Sequence, residues 1–322
     1  MKKYIFTLIV AALALQGCET EFKLKGMSSE PKIYVYGLVG MSDTTALRVC
    51  KTVPLSGMTD PDMSREVSEI SLTVDGKKVE LAKADENTPG VPKGYWWTTD
   101  MISGGSEVLL TAAADEAEDI SSSFTMPDAF PAFEVKYTSA PAFKITFTDD
   151  GNTDDCYAIM VLGECTRIKD GETTVTVRAC EPYEPDEDFG METRKDYLDV
   201  DMDEGPARVW PDTGFNGKEV SLNLEVWAYI DGISNSKYDE VRERYKAVIY
   251  RLTPEFFRYA EAQNHLDHNT LASIGLAPAS FAYTNVNGGL GLFAGDAVAE
   301  TEWFVYDYHL NINRFIIRFF AF

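Results

Sequence analysis

Val220-Ser-Leu-Asn-Leu-Glu-Val-Trp-Ala-Tyr-Ile230 alternates apolar and polar side chains from its start. In an extended chain Val220, Leu222 and Leu224 share one face, and Ser221, Asn223 and Glu225 share the other. A strand patterned this way buries one face and wets the other, as antiparallel sheets do. The same alternation recurs on both sides of it. Phe143, Ile145 and Phe147 alternate, as do Val175 and Val177, and Lys246 to Leu252 reads as a further strand.

Towards the N-terminus the pattern continues in shorter pieces. Ile33-Tyr-Val-Tyr-Gly-Leu-Val39 reads as a strand. Ile70, Leu72 and Val74 alternate, Asp75-Gly76 makes a tight hairpin turn, and Val79 and Leu81 return. Tyr95-Trp96-Trp97 and Val108-Leu109-Leu110 follow, and Thr125-Met126-Pro127-Asp128 leads out of the block. About seven short strands in so compact a block predict a small immunoglobulin- or transthyretin-like sandwich.

One helix is expected near residues 254–266. Thr253 suits the N-cap, Pro254 the first helical position and Glu255 the positive end of the dipole. Phe256, Phe257, Tyr259 and Ala260 supply its apolar face. The fold class expected is therefore all-β: two β-sandwich domains, at residues 32–130 and 131–322, the second larger and carrying one short helix.

The chain begins with Met1-Lys2-Lys3, a short apolar run from Tyr4 to Leu15, and Leu15-Gln16-Gly17-Cys18. The run is too short to span a membrane and has the flanks of an export signal. Its ending resembles the lipobox of bacterial lipoproteins, with Gln16 bulkier than the small residue usual there. That resemblance implies a signal peptide at residues 1–17, a lipid such as palmitate on Cys18, and a polar tether over residues 18–31.

Without Lys2 and Lys3 the 29 basic residues fall to 27 against 52 acidic ones, a formal charge of −25. Such a chain lacks the basic footprint of a nucleic-acid binder. It is also repelled by anionic lipid, so the anchor on Cys18 must supply the membrane attachment. Beyond Cys18 the cysteines are Cys50, Cys156, Cys165 and Cys180; an exported compartment permits disulfides, and three full pairings remain open beside the alternative of buried free thiols. Their spacing does not resemble a zinc site.

Several ordered segments together resemble one family. They are the Cys18 lipobox, the Lys32–Gly40 strand, Gly94-Tyr95, Thr125-Met126-Pro127, Phe147-Thr-Asp-Asp-Gly151 with Cys156-Tyr157, and Phe215-Asn216-Gly217-Lys218. The Leu252–Tyr259 helix start and Asn285-Val-Asn-Gly-Gly-Leu-Gly-Leu-Phe293 complete the set. This is similar to the domain-of-unknown-function 4249 family of Bacteroidota-type outer-membrane lipoproteins. The resemblance implies an all-β protein lipid-anchored in the outer membrane, periplasmic or surface-exposed. It also implies a TonB-dependent receptor as partner in nutrient uptake. It brings no activity and no catalytic residues. Cys156 before Tyr157 and the long apolar tail Phe315–Phe322 depart from the family pattern.

Candidate sites are few. Asn287-Gly288-Gly289-Leu290-Gly291 lacks the Lys-Ser/Thr of a phosphate loop and reads as a β turn. Eleven carboxylates lie between Glu181 and Glu204, and within them Asp199, Asp201 and Asp203 alternate like a calcium loop. Trp210 stands where such a loop needs its bidentate Glu, so Ca2+ is only a weak candidate. Asp149-Asp-Gly-Asn-Thr-Asp-Asp155 is a second oxygen-rich loop; both are expected to be solvated. His265 and His268 lack an evident third zinc ligand among three histidines in all.

No nucleophile elbow or HExxH motif is present. Trp96, Trp97 and Trp227 are candidate ligand or partner contacts, with Trp96 and Trp97 on opposite faces of their strand. The function expected is a non-enzymatic binding or accessory lipoprotein. A structural or adhesive surface protein and a carboxylate-dependent hydrolase are the alternatives.

Overall fold

The computed structural model describes residues 30–40, 44–52, 66–139, 142–180, 182–183, 198–202, 205–226, 238–267 and 283–305. The signal, Cys18, Asp203, Trp227, His268, His309 and the Phe315–Phe322 tail lie outside the described residues. The chain is all-β with one helix.

Its strands are β1 (Ile33–Gly40), β2 (Thr45–Lys51), β3 (Glu69–Val74), β4 (Lys77–Val79), β5 (Ala82–Lys83), β6 (Trp96–Thr98), β7 (Glu107–Ala113), β8 (Ile120–Thr125), β9 (Phe133–Ser139) and β10 (Ala142–Thr148). Then come β11 (Cys156–Lys169), β12 (Glu172–Cys180), β13 (Pro182–Tyr183), β14 (Leu198–Met202), β15 (Gly205–Pro211), β16 (Glu219–Val226) and β17 (Glu240–Leu252). Helix α1 (Pro254–Asp267), β18 (Leu290–Glu300) and β19 (Phe304–Val305) end the described chain.

One large sheet runs through both halves in the order β14-β15-β11-β17-β18-β1-β2-β6-β5, with β12 beside β11 and β19 beside β17. Two four-stranded sheets, β4-β3-β7-β8 and β13-β16-β10-β9, pack against it. The N-terminal core lies between the first of these and β1, β2 and β18, and contains Ile33, Val35, Leu47, Leu72, Leu110 and Phe293. The second core holds Ile145, Phe147, Leu222, Tyr157, Ile159 and Tyr245. The register puts both cores on one face of the large sheet. Ile249 pairs with Ala299 and Arg251 with Ala297. Two-residue alternation then carries that face along β18 to Phe293.

The opposite face takes the helix. Cys156, Ala158, Met160, Val248, Leu252, Leu292 and Ala294 pack with Phe256 and Ala260 of α1. Thr253 sets the helix start: its N–H donates to the Gly295 carbonyl at 3.0 Å, and its hydroxyl accepts from the Gly295 N–H at 3.4 Å. The expected hairpin is present, with Asp75 and Gly76 linking β3 to β4.

The two halves are joined by the pairing of β1 with β18, a parallel contact in which Val35 faces Gly291 and Gly37 faces Phe293. Gly291 has φ of 107°, and a Cβ there would stand 1.8 Å from the Val35 carbonyl oxygen. Neither the torsion nor the space admits another residue. Where β17 ends, a side chain continues the ladder on β18. The Asn285 amide donates to the Phe293 carbonyl at 2.6 Å and accepts the Phe293 N–H at 3.0 Å.

Gly291→Ala is expected to cost more than about 3 kcal/mol in urea unfolding, as backbone overlap adds to torsional strain. Gly76→Ala has a comparable positive φ but nothing within 4 Å, and should cost only about 1–2 kcal/mol. Equal losses for the two would show that the β1–β18 approach is not tight.

Candidate functional site

The site begins where two turns meet at the end of the second core. Asp149 follows β10, Asp155 precedes β11, Asp212 follows β15, and Arg251 lies on β17. All four are buried, at 5%, 6%, 3% and 4% exposure. The expectation that the Asp149–Asp155 loop is solvated therefore fails for its two ends. Gly151 to Asp154, between them, do remain exposed, and half-buried Asp150 holds Asn152 in a local turn.

Register explains why the side chains converge. Tyr157 pairs with Trp210 on β15 and with Arg251 on β17, so all three project from one face. Asp155 lies two residues before Tyr157 on that face. The backbone carries the pairing one step further, with the Asp212 N–H donating to the Asp155 carbonyl at 3.1 Å. The second turn arrives through Asp149, whose N–H donates to the Lys218 carbonyl at 3.0 Å.

Four of the six carboxylate oxygens have a donor. Asp149 accepts the Tyr157 hydroxyl on Oδ1 and the Gly217 N–H on Oδ2, both at 2.6 Å. Asp155 Oδ2 accepts Arg251 Nη2 at 2.7 Å and the Thr153 hydroxyl at 2.9 Å. Asp212 Oδ2 accepts the Asp155 N–H at 2.7 Å. Arg251 also donates to Thr153 Oγ1 at 2.8 Å, while its Nε makes no hydrogen bond within the protein. Gly217 has φ of 72°, and a Cβ on it would lie 3.2 Å from the Gly151 Cα. The two turns touch through glycine backbone, which is what brings the Gly217 N–H to Asp149.

Below the polar groups, Phe130, Phe147 and Tyr157 form an aromatic triangle with centroids 5.1–5.7 Å apart. Burial, reinforced by the hydrogen bond to Asp149, raises the Tyr157 hydroxyl far above its usual pKa. Burial also raises the Asp212 carboxyl, and the charges of Asp149 and Asp155 add to this.

Ligand oxygens of Asp149, Asp155 and Asp212 lie within 4.8 Å of one another, close enough to share a cation. Two facts weigh against a metal centre. Arg251 already brings a positive charge to Asp155. Both oxygens of Asp149 and one each of Asp155 and Asp212 already accept protein donors, which leaves few of the roughly six to eight oxygens a hard ion takes. The arrangement fits better as an ion-paired latch between two turns.

The other candidates fall elsewhere. Asp199 and Asp201 lie on β14, their side chains outside the described residues. Trp96 pairs with Leu47, packs against the N-terminal core, and has Lys83 Nζ 5.7 Å from its ring centroid. Trp97 pairs with Ala46 and Ala82, so it points to the opposite face and is half-buried. His265 lies in α1, with its side chain also outside the described residues. Cys50, Cys156, Cys165 and Cys180 are all free thiols.

Sequence reasoning missed Asp212 and Arg251. The signal for Arg251 was a lone charge inside the apolar strand Ala247-Val-Ile-Tyr-Arg-Leu252. For Asp212 it was the glycine turn Phe215–Lys218 that follows it.

Arg251→Met should destabilise the chain by about 3–5 kcal/mol, because it strands Asp155 without its buried counter-charge. Asp212 titrates in the other sense. A carboxyl with a raised folded pKa holds more protons in the folded state, so its contribution to stability falls as pH rises through that folded value. Asp212→Asn is therefore expected to raise Tm at pH 7.5 relative to wild type, and to lose that advantage near pH 4. A Tm gain independent of pH would contradict this assignment.

No curated protein matches the chain. Among solved structures, one of the Enterococcus faecalis MSCRAMM ACE, titled as binding its ligands by the collagen Hug model, aligns at 10% identity. It covers 70% of this chain and 89% of that chain, with a TM-score of 0.18. The family model described as Domain of unknown function (DUF4249) matches residues 19–302, from just after Cys18 to just before β19. The chain belongs to that family.

Proposed function

We propose that this protein is a lipid-anchored, non-enzymatic envelope lipoprotein, held in the outer membrane through Cys18. It serves as a binding or accessory component of a TonB-dependent nutrient uptake system. The observation that carries the non-enzymatic part is the state of the buried carboxylates. Asp149, Asp155 and Asp212 are the acids best placed for chemistry: Asp149 is engaged with Tyr157 and Gly217, Asp155 with Arg251 and Thr153, and Asp212 with the Asp155 N–H. A carboxylate-dependent hydrolase needs two acids facing a substrate, with one free to give a proton and the other to accept it. These acids instead fasten two turns over a packed aromatic core, and that produces a rigid module.

Anchoring rests on the N-terminal pattern ending in Leu15-Gln16-Gly17-Cys18. The strongly acidic composition agrees with it, since an acidic surface keeps an envelope protein soluble but does not adhere to anionic lipid. The receptor partnership rests on family resemblance.

Two measurements test the proposal. Cys18→Ser should move the protein from the membrane fraction to the soluble fraction, and retention in the membrane would refute the anchor. The lipidated protein, purified from gently solubilised outer membranes, should bring a TonB-dependent receptor in stoichiometric amount. Recovery without one would remove the uptake role.

A further inference from the structure

Among the described residues, the hairpin β11–β12 leaves one long strand edge without a neighbouring strand. Asp170 and Gly171 form its two-residue turn, both at positive φ, and Lys169 pairs with Glu172. Such a turn closes on a mutually hydrogen-bonded pair, which fixes the direction of every backbone group beyond it. Glu172, Thr174, Thr176 and Arg178 point their N–H and C=O groups at β11. Thr173, Val175 and Val177 point theirs outward. Among the described residues no strand pairs with that outer edge.

Side chains do not shield it. Edge strands are commonly blunted by proline, lysine or a bulge. Residues 173–177 of β12 contain neither residue, and the register with β11 runs unbroken from Val161–Cys180 to Lys169–Glu172. Val175 and Val177 share one face and are 54% and 53% exposed.

The geometry points to a second copy of this chain as the occupant, with β12 pairing antiparallel to β12 of its partner across a two-fold axis at Val175. That register is self-complementary. It puts Glu172 opposite Arg178 at both ends, Thr174 opposite Thr176, and Val175 on its own symmetry mate. The outward residues meet one another, Thr173 with Val177 and Val175 with Val175, so the hydrogen-bonding parity is right. The exposed valines of the two copies form one continuous row. Moving the axis to Thr176 keeps the parity but sets Glu172 opposite Cys180 and Arg178 opposite Thr174. Moving it to Thr174 sets Glu172 opposite Thr176 and Arg178 opposite Asp170, which lies in the turn and outside the strand. The pairing joins the two large sheets into one continuous sheet, and as an isologous contact it closes at the dimer. This inference does not depend on the uptake role.

Sedimentation equilibrium of the full lipidated chain in detergent tests it. Wild type should be a dimer. Glu172→Arg and Arg178→Glu each place like charges opposite one another at both ends, and each should weaken the dimer by roughly tenfold. The double variant Glu172→Arg/Arg178→Glu restores opposite charges and should return to within about threefold of wild type. Val175→Pro, which removes only an outward-facing N–H, should be monomeric with a hairpin that still folds. A wild-type chain that stays monomeric at about 100 µM overturns the proposal, and so does a double variant no tighter than its parents. The first of these outcomes would leave the edge to a strand from a different protein.

Discussion

The parallel pairing of β1 with β18 is the constraint on which the other contacts depend. Parallel neighbours cannot be joined by a tight turn, and here the connection is nearly the whole folded chain. The strand opening the described fold and one of the last in the chain thus meet in the middle of the large sheet. Until β18 arrives, β1 lacks one neighbour and the N-terminal core lacks Phe293. The helix also lacks Leu292 and Ala294 beneath it. A fold closed by its most distant contact pays loop-closure entropy before the gain in packing arrives, which favours slow, cooperative formation. It also makes the two sandwiches mechanically continuous, because their cores share one face of one sheet.

The latch at Asp149, Asp155 and Arg251 addresses a different problem. The second core ends in two turns, and turns bring backbone and side-chain polar groups with them. Burying them without partners would be costly. The structure satisfies them mutually. A carboxylate from one turn takes an N–H from the other, and an arginine from the central strand answers the second carboxylate. Asp212 is the acid with no cation of its own in this arrangement; burial raises its carboxyl first, and the charges of Asp149 and Asp155 add to that.

Much of the local structure is legible in the sequence. The hairpin at Asp75-Gly76, the alternating strand from Val220 and the helix start at Thr253-Pro254 are each written in a few adjacent residues. So is the opposite orientation of Trp96 and Trp97. The strand that the alternation does not reveal is β11, the most central of the second half. Cys156-Tyr-Ala-Ile-Met-Val161 has no polar alternation because both its faces are buried, Tyr157 and Ile159 in one core and Ala158 and Met160 in another. A period of two disappears when both sides are dry. The buried carboxylates are illegible for a related reason. Asp155 reads as solvated because its partner, Arg251, lies 96 positions away, and nothing local announces the pair.

The segments that mark the family have a common physical explanation. Phe147 and Asp149 open the latch and its aromatic triangle, and Tyr157 closes it. Gly217 carries the N–H that Asp149 accepts, at a positive φ and a close approach to Gly151 that favour glycine. Asn285 extends the ladder on β18, and Gly291 lets β18 lie against Val35. Each of these residues is required by a turn, a close contact or a buried polar group. A signature assembled from such residues identifies a fold and places no demand on a ligand. The exposed edge of β12 and the half-buried face around Trp97 take no part in these contacts, so the motifs are consumed in building the scaffold and leave both surfaces unconstrained by it.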